Sequence, residues 1–523
     1  MKQTQKDGHA PAQAPNIVFI MADQLGANSL GCYGSGIDST PTLDRLAAGG
    51  TRYDRCYATC PICAPNRAVF LTGRSPVVNG MIANNFALAN DLPTYAHVLQ
   101  TAGYRTGGFG KFHQTPMHFP EPSDLAFLGF DEAVVCEDTK WTWYEWVKRE
   151  HPQHAEQALA MCWNFWPCHP PHPESGRVEA MRRKYGSDPR SPWWAMGASK
   201  LPPEIHDTTY ITGLGLDFMR RHRSEHPEQP FLCHISYVDP HDPYDPPEPY
   251  ASMFKPEDMP DTVPSEWLDQ GFETLALSQR FGGFDKLWNR PDVMRQLRAY
   301  YHGSLRFLDD QIKRVESFLR EEGLWDNTIL VFTTDHGEML GDHGLITKGV
   351  KHYDAGIRCP LIVAGGAIPA GVSSRLTCTL DFFPSFCDWA KVPPEYRPPL
   401  EGRSFAEPGW DSVAVCFDTV QSVITEDGWR LTRFGQEGKW QMFDLANDPQ
   451  EQRNLWPDPA FQARRQELLE ALTAVLARPG LVPHYRVMPV LDGGKVVVQS
   501  DQFQPPMHQF EIGLSPALRR KQS

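Results

Sequence analysis

The chain has little that would tie it to nucleic acid, to a membrane or to an oxidising compartment. Its 50 Lys and Arg are outnumbered by 64 Asp and Glu, giving a formal charge of −14. That balance argues against non-specific nucleic-acid binding, which needs a basic face. No apolar run approaches the roughly 20 residues of a spanning helix. The stretch from Met1 to Pro15 carries Lys2, Gln3, Lys6 and Asp7 and no apolar core, so no secretory signal is visible. The 12 cysteines fall without a framework spacing, as reduced thiols do. These absences predict a cytoplasmic protein with no membrane or nucleic-acid partner. What remains is 523 residues, 41% apolar and 22% charged. Such a chain is large enough for one large α/β domain and a smaller one.

Two short, continuous apolar runs stand out. Asn16–Ala22 leads into Asp23 and Gln24, and Thr328–Thr333 leads into Thr334, Asp335, His336, Gly337 and Glu338. Runs of this kind fit strands buried on both faces of a parallel sheet, although a buried helix segment reads the same way. In open α/β sheets function gathers beyond the C-terminal strand ends, which puts Asp23, Gln24, Asp335 and His336 on one face. A carboxylate beside an imidazole makes an oxygen and nitrogen metal corner. Asp23 taken alone also reads as a cap for the following segment.

Thr40 as the cap and Pro41 at the first helical position begin a helix. Further helices are predicted over 93–102, 207–221, 293–322 and 460–477, and strands at Phe231–Tyr237 and Pro360–Val363. Asp427-Gly428 between two apolar runs predicts a hairpin. From Phe130 to Pro203, Trp, Pro and His accumulate and no period persists, which predicts an irregular but ordered insertion over the active-site face. His169 and His172 within it lack a convincing ligand spacing.

The chain's most informative stretch is Cys63-Ala64-Pro65-Asn66-Arg67, continuing to Leu71-Thr72-Gly73-Arg74. Pro65 suits the first position of a helix. Cys63 would then sit just outside a helix N-terminus, where an anion is favoured, with Arg67 in the first turn. Two other readings fit the same residues. Cys60-Pro61-Ile62-Cys63 is a C-x-x-C, as in a redox pair or half a zinc site, and a free cysteine is often simply packed. In an extended segment, alternation points Lys111 and His113 to the same side, where they repel unless an anion lies between them, and as a pair they also suit a solvated edge. His241, between Pro240 and Pro243, sits in a rigid loop.

Cys63-x-Pro65-x-Arg67 with Leu71–Arg74 resembles the signature of the formylglycine-dependent sulfatases of the alkaline-phosphatase superfamily. Gly110-Lys111-x-His113, Pro240-His241-x-Pro243, Asp335 to Leu345, Lys348 and Phe443 to Glu451 resemble further elements of that family. Cys60 is out of frame, since Ile62 stands where the Pro should be, and Asn66 stands where Ser is commonest. The resemblance implies an α/β fold: a large mixed, mostly parallel sheet flanked by helices, with a smaller C-terminal α+β subdomain. The corresponding boundaries are a disordered tail at 1–14, a catalytic domain at 15–400 carrying the 130–203 insertion, and a subdomain at 401–480. An extension at 481–523 resembles the tails that build homo-oligomers, dimers or tetramers, in relatives.

The resemblance also implies roles. A formylglycine-generating enzyme would convert Cys63 to the aldehyde, whose hydrate attacks. Asp23, Gln24, Asp335 and His336, together with the modified Cys63, would hold one divalent ion, Ca2+ before Mg2+ or Mn2+. Arg67 would polarise the hydrate, Lys111 and Lys348 would bind sulfate oxygens, His241 would protonate the leaving oxygen and His113 would assist sulfate release. Asp-Gln with Asp-His resembles the branch of choline sulfatase and phosphonate monoester hydrolase. Phosphonate hydrolases carry Tyr and Thr where Lys111 and His113 stand, which favours a small sulfate monoester, aryl, alkyl or sugar, as substrate. Phosphonate or phosphodiester hydrolysis is the alternative, and a non-catalytic anion-binding homologue is the third reading.

Overall fold

The computed structural model describes residues 14–116, 126–162, 173–185, 196–282, 290–478, 489–492 and 495–498. The expected tail up to residue 13, His169, His172 and most of the 481–523 extension lie outside the described residues.

Eight strands form the main sheet: β1 (Asn16–Ala22), β2 (Thr51–Tyr57), β3 (Arg105–Gly110), β4 (Glu132–Val135), β5 (Phe231–Ser236), β6 (Thr328–Thr334), β7 (Arg358–Ala364) and β8 (Gly371–Cys378). Their order is β4-β3-β5-β1-β6-β7-β2-β8. All neighbours pair in parallel except β7, which runs against both β6 and β2. This is the mixed, mostly parallel α/β sheet that the two apolar runs and the resemblance predict.

β1 lies at the centre because every residue in it can be buried. Successive side chains alternate between faces. Val18, Ile20 and Ala22 enter one core, covered by the helices Pro41–Gly49, Asp207–Glu225 and Pro291–Glu321. Ile17, Phe19 and Met21 enter the other, covered by Cys63–Thr72, Tyr95–Thr101 and Phe382–Trp389. The register then decides the site. Met21 pairs with Ser236 and Ala22 with Thr334, so Asp23 and Asp335 leave the sheet side by side.

Two expectations need correction. Thr40 makes no side-chain cap on the helix it precedes. Its hydroxyl donates to Asp44, and the buried Asp309 carboxylate accepts the Thr42 and Leu43 N–H groups at 2.9 Å each. The 130–203 insertion is not irregular throughout. It holds β4 and the helices Trp141–Glu150, Ala155–Met161 and Ser175–Tyr185. The first helix buries Trp143, Tyr144 and Val147, a helical stripe written in aromatics, and Trp143 Nε1 donates to Ile205 O at 2.9 Å.

A second, antiparallel sheet contains β9 (Ser412–Phe417), β10 (Val420–Thr425), β11 (Trp429–Phe434) and β12 (Lys439–Asp444). The Asp427-Gly428 turn joins β10 to β11 as predicted, with Gly428 at φ 87°. The helix Gln462–Leu476 packs Leu468, Leu472 and Val475 against Val423, Leu431 and Met442. Buried Arg430 of β11 pairs with Glu451 and donates to His352 O, fastening this sheet to the segment that follows Lys348. A third pair, β13 (Pro489–Asp492) and β14 (Lys495–Val498), is antiparallel.

Gly110 ends β3 at φ 104°, and a Cβ there would lie 1.8 Å from Ser236 O. A left-handed backbone and that close approach both exclude other residues. Gly110→Ala is expected to cost about 2 kcal/mol or more, lowering the melting temperature in calorimetry. A variant that melts with the wild type would contradict this packing.

Candidate active site

Cys63 is the first residue of its helix, with Ile62 as the N-cap, so Pro65 stands within the first turn instead of opening it. The reason is that none of the first four helical N–H groups needs an intrahelical partner, and Pro is tolerated throughout that turn. Ala64 N–H donates to Asn84 Oδ1 at 3.0 Å, and Gly73 closes the helix at φ 61°. Asn66 serves as a tie. Its Nδ2 donates to Asp335 O while its Oδ1 accepts from Thr379 Oγ1 at 2.8 Å.

Cys63 Sγ lies 3.1 Å from His336 Nε2 and 3.8 Å from Asp23 Oδ1. Asp23, Cys63, Asp335 and His336 each offer one donor atom, all within 4.8 Å of one another and all buried. Cys60 is not among them, and both cysteines are free. His336 Nδ1 donates to Gly337 O at 3.0 Å, which leaves the Nε2 lone pair facing the cluster. Burial pushes His336 down to about 4, against the pull of Asp335. Burial, with Asp23 beside it, pushes the Cys63 thiol up to about 12, so the unmodified side chain is a protonated thiol at neutral pH.

Arg67 binds both carboxylates. Nη2 meets Asp23 Oδ2 and Nε meets Asp335 Oδ2, each at 2.9 Å, while Nη1 donates to Lys111 O and Ser236 Oγ at 2.8 Å. Burial opposes its charge, but Asp335 and Asp23 outweigh that and raise its pKa further. Lys111, 0% exposed, reaches Asp23 Oδ2 at 2.6 Å and also binds Asp138. Burial disfavours the Asp23 carboxylate, yet Lys111, His241, Arg67 and Lys348 together hold its pKa well below the usual range.

His113 does not continue the extended alternation from Lys111. It takes φ 52°, and its N–H donates to Glu137 Oε1 at 2.8 Å. It is buried, and its neighbour Gln114 reaches Ala64 O at 3.3 Å. His241 Nδ1 donates to Asp242 O at 2.6 Å, leaving Nε2 to accept from Lys348 Nζ at 2.5 Å. Lys348 also donates to Gln24 Oε1. Gln24 stands at φ 60°, its N–H bound to Asp335 Oδ1 at 3.1 Å.

All ten of the residues singled out from the sequence therefore meet beyond the strand ends. Asp138, Glu137, Asp242, Tyr244 and Glu338 also belong here and were not identified. Asp138 and Glu137 follow β4, a strand that lies within the stretch read from the sequence as irregular. The donor set, two carboxylates and an imidazole in a buried cradle, fits a hard divalent cation.

A family model for sulfatases matches residues 15–392. The chain belongs to the sulfatase family. Membership makes it an enzyme, a hydrolase of sulfuric ester bonds. It is 28% identical to an arylsulfatase of Clostridium perfringens over 88% of this chain and 93% of that protein. It is 26% identical to a choline-sulfatase of Rhizobium meliloti over 85% of this chain and 83% of that one. The phosphonate monoester hydrolase of Agrobacterium radiobacter shares the fold at a TM-score of 0.71 and 22% identity, covering 94% of this chain and 100% of that one. No helix among the described residues is long and apolar enough to cross a membrane.

Arg67→Ala would leave Asp23 and Asp335 buried without their shared cation, a loss of about 3–5 kcal/mol. The expected outcome is a lower melting temperature in metal-free buffer, with part of the loss recovered in Ca2+. Melting with the wild type in both buffers would contradict the shared role.

Proposed function

We propose that this sulfatase-family enzyme hydrolyses a small sulfate monoester, aryl, alkyl or sugar, with residue 63 in its formylglycine form and one bound divalent cation. The observation that carries this reading is the approach of Cys63 Sγ to Asp23 and His336, with Arg67 bridging Asp23 and Asp335. Asp23, Gln24, Asp335 and His336 would hold the ion, Ca2+ before Mg2+ or Mn2+. Bound there, the ion and the aldehyde hydrate would supply an activated oxygen nucleophile and neutralise developing charge.

The chain's own groups do the rest. Arg67 holds the two carboxylates in register and offers positive charge beside position 63. Lys111, paired with Asp23, and Lys348, on Gln24 and His241, are the cations for ester oxygens. Lys348 Nζ donates to His241 Nε2, so a proton can pass to the leaving oxygen from this pair. His113 is held beside Glu137 and Asp138, where it serves the return step.

The charge balance supports a monoanionic substrate. Three fixed cations, Arg67, Lys111 and Lys348, face three carboxylates, Asp23, Asp138 and Asp335. A divalent ion bound among them would add positive charge where the ester anion must sit. A phosphonate monoester is also a monoanion, and the Asp-Gln and Asp-His metal set supports it as the second reading.

Two measurements test the proposal. The tryptic peptide Cys56 to Arg67, from protein made alongside a formylglycine-generating enzyme, is expected to show Cys63 without sulfur and with an aldehyde. An intact thiol in every molecule would overturn the mechanism. His241→Ala is expected to slow alkyl sulfate hydrolysis about 10²- to 10⁴-fold and to affect nitrophenyl sulfate much less, because that leaving group needs no proton. Equal losses on both would remove His241 from the acid role.

A further inference from the structure

Gln24 meets two opposite environments. Its Nε2 faces Glu338 Oε2 at 2.6 Å, Asp242 Oδ1 at 3.1 Å and the Tyr244 hydroxyl at 3.3 Å. Its Oε1 accepts from the Lys348 ammonium. A flipped carboxamide would set oxygen against two carboxylates and NH2 against an ammonium, both in a buried place where mismatched polar contacts are costly. The main chain cannot compensate. Gln24 is held at φ 60° by its N–H on Asp335 Oδ1 at 3.1 Å and by the Tyr301 hydroxyl on its C=O at 3.0 Å.

Glu338 and Lys348 hold this arrangement from opposite ends of the carboxamide. Glu338 is buried, and its Oε1 accepts from Leu340 N–H at 2.9 Å and Thr347 N–H at 2.6 Å. Those backbone donors cannot turn round, so Oε1 is fixed as an acceptor and Oε2 is the oxygen left to meet Gln24 Nε2. We propose that Glu338 is a positioning residue that, opposite Lys348, keeps the Gln24 carboxamide oxygen turned away from Glu338 and so available as an oxygen donor to the divalent ion. The inference rests on the divalent-cation reading given under Proposed function.

The test is Ca2+ titration by calorimetry of the full-length, formylglycine-bearing protein after chelator treatment. In Glu338→Gln the new carboxamide must keep its oxygen on the Leu340 and Thr347 N–H groups. Its NH2 then faces the Gln24 NH2, so the amide either keeps that donor–donor clash or turns over against Asp242 and Lys348, and in both cases its oxygen is no longer firmly held. Ca2+ affinity is expected to fall about 10- to 100-fold. Gln24→Glu alone is also expected to weaken Ca2+ binding despite its added negative charge, because its second oxygen meets Glu338 and Asp242. The double variant E338Q/Q24E restores a donor facing an acceptor and is expected to recover affinity relative to either single change. A purely structural Glu338 would make the double variant worse than both.

Wild-type affinity in E338Q, or losses that simply add in the double variant, would overturn the proposal. If E338Q does not fold, Q24E decides the matter, since tighter Ca2+ binding by Q24E would overturn it. Failure of the wild type to take up Ca2+ or Mn2+ would instead overturn the metal reading, and this inference with it.

Discussion

A single buried guanidinium holds together the ends of two central strands. Asp23 follows β1 and Asp335 follows β6, and without Arg67 their carboxylates would repel across the gap the register creates. Burying a charge that is only half paired is expensive, and Arg67 avoids it by using Nε, Nη1 and Nη2 on four acceptors. The helix that carries Arg67 also carries Cys63, so docking the cation delivers the reactive position to the same point. Fold and chemistry share this contact.

The resulting field is balanced in layers. Asp23 touches Arg67 and Lys111, Lys111 is shared with Asp138, and Lys348 is shared between His241 and Gln24. No member of this chain of contacts is a simple surface charge pair, where the net gain would be small. Each is buried or nearly so, and the orientation of every donor is set by an acceptor behind it. This gives a rigid cradle whose polarity is decided before a substrate arrives.

Much of this was legible in the sequence. The continuous apolar runs before Asp23 and Asp335 gave away strands buried on both faces, because only such strands need no polar alternation. Cys63, Arg67, Lys111, His113, His241 and Lys348 were marked by short motifs with local spacing. What escaped notice acts through distant partners. Glu338 matters because Gln24 lies 314 positions away in the chain, and Asp138 because it lies beside Lys111 only once β4 joins β3. The helix Trp141–Glu150 hides in the sequence because its buried stripe is aromatic, and aromatic residues at helical spacing do not read as an ordinary apolar period. Pro65 was placed at the opening of its helix, although the unpaired N–H groups of the whole first turn make its position there permissive.

The active-site groups come from the ends of β1, β3, β4, β5 and β6, from the helix after β2 and from the loop that holds Lys348. Contacts such as Asp23 to Lys111 and Cys63 to His336 span long stretches of chain, so loop closure must be complete before they form. The cradle therefore has no local precursor: no isolated hairpin or helix pair holds even half of it. Its assembly reports the pairing of β1 with β5 and β6 together with the docking of the helix after β2.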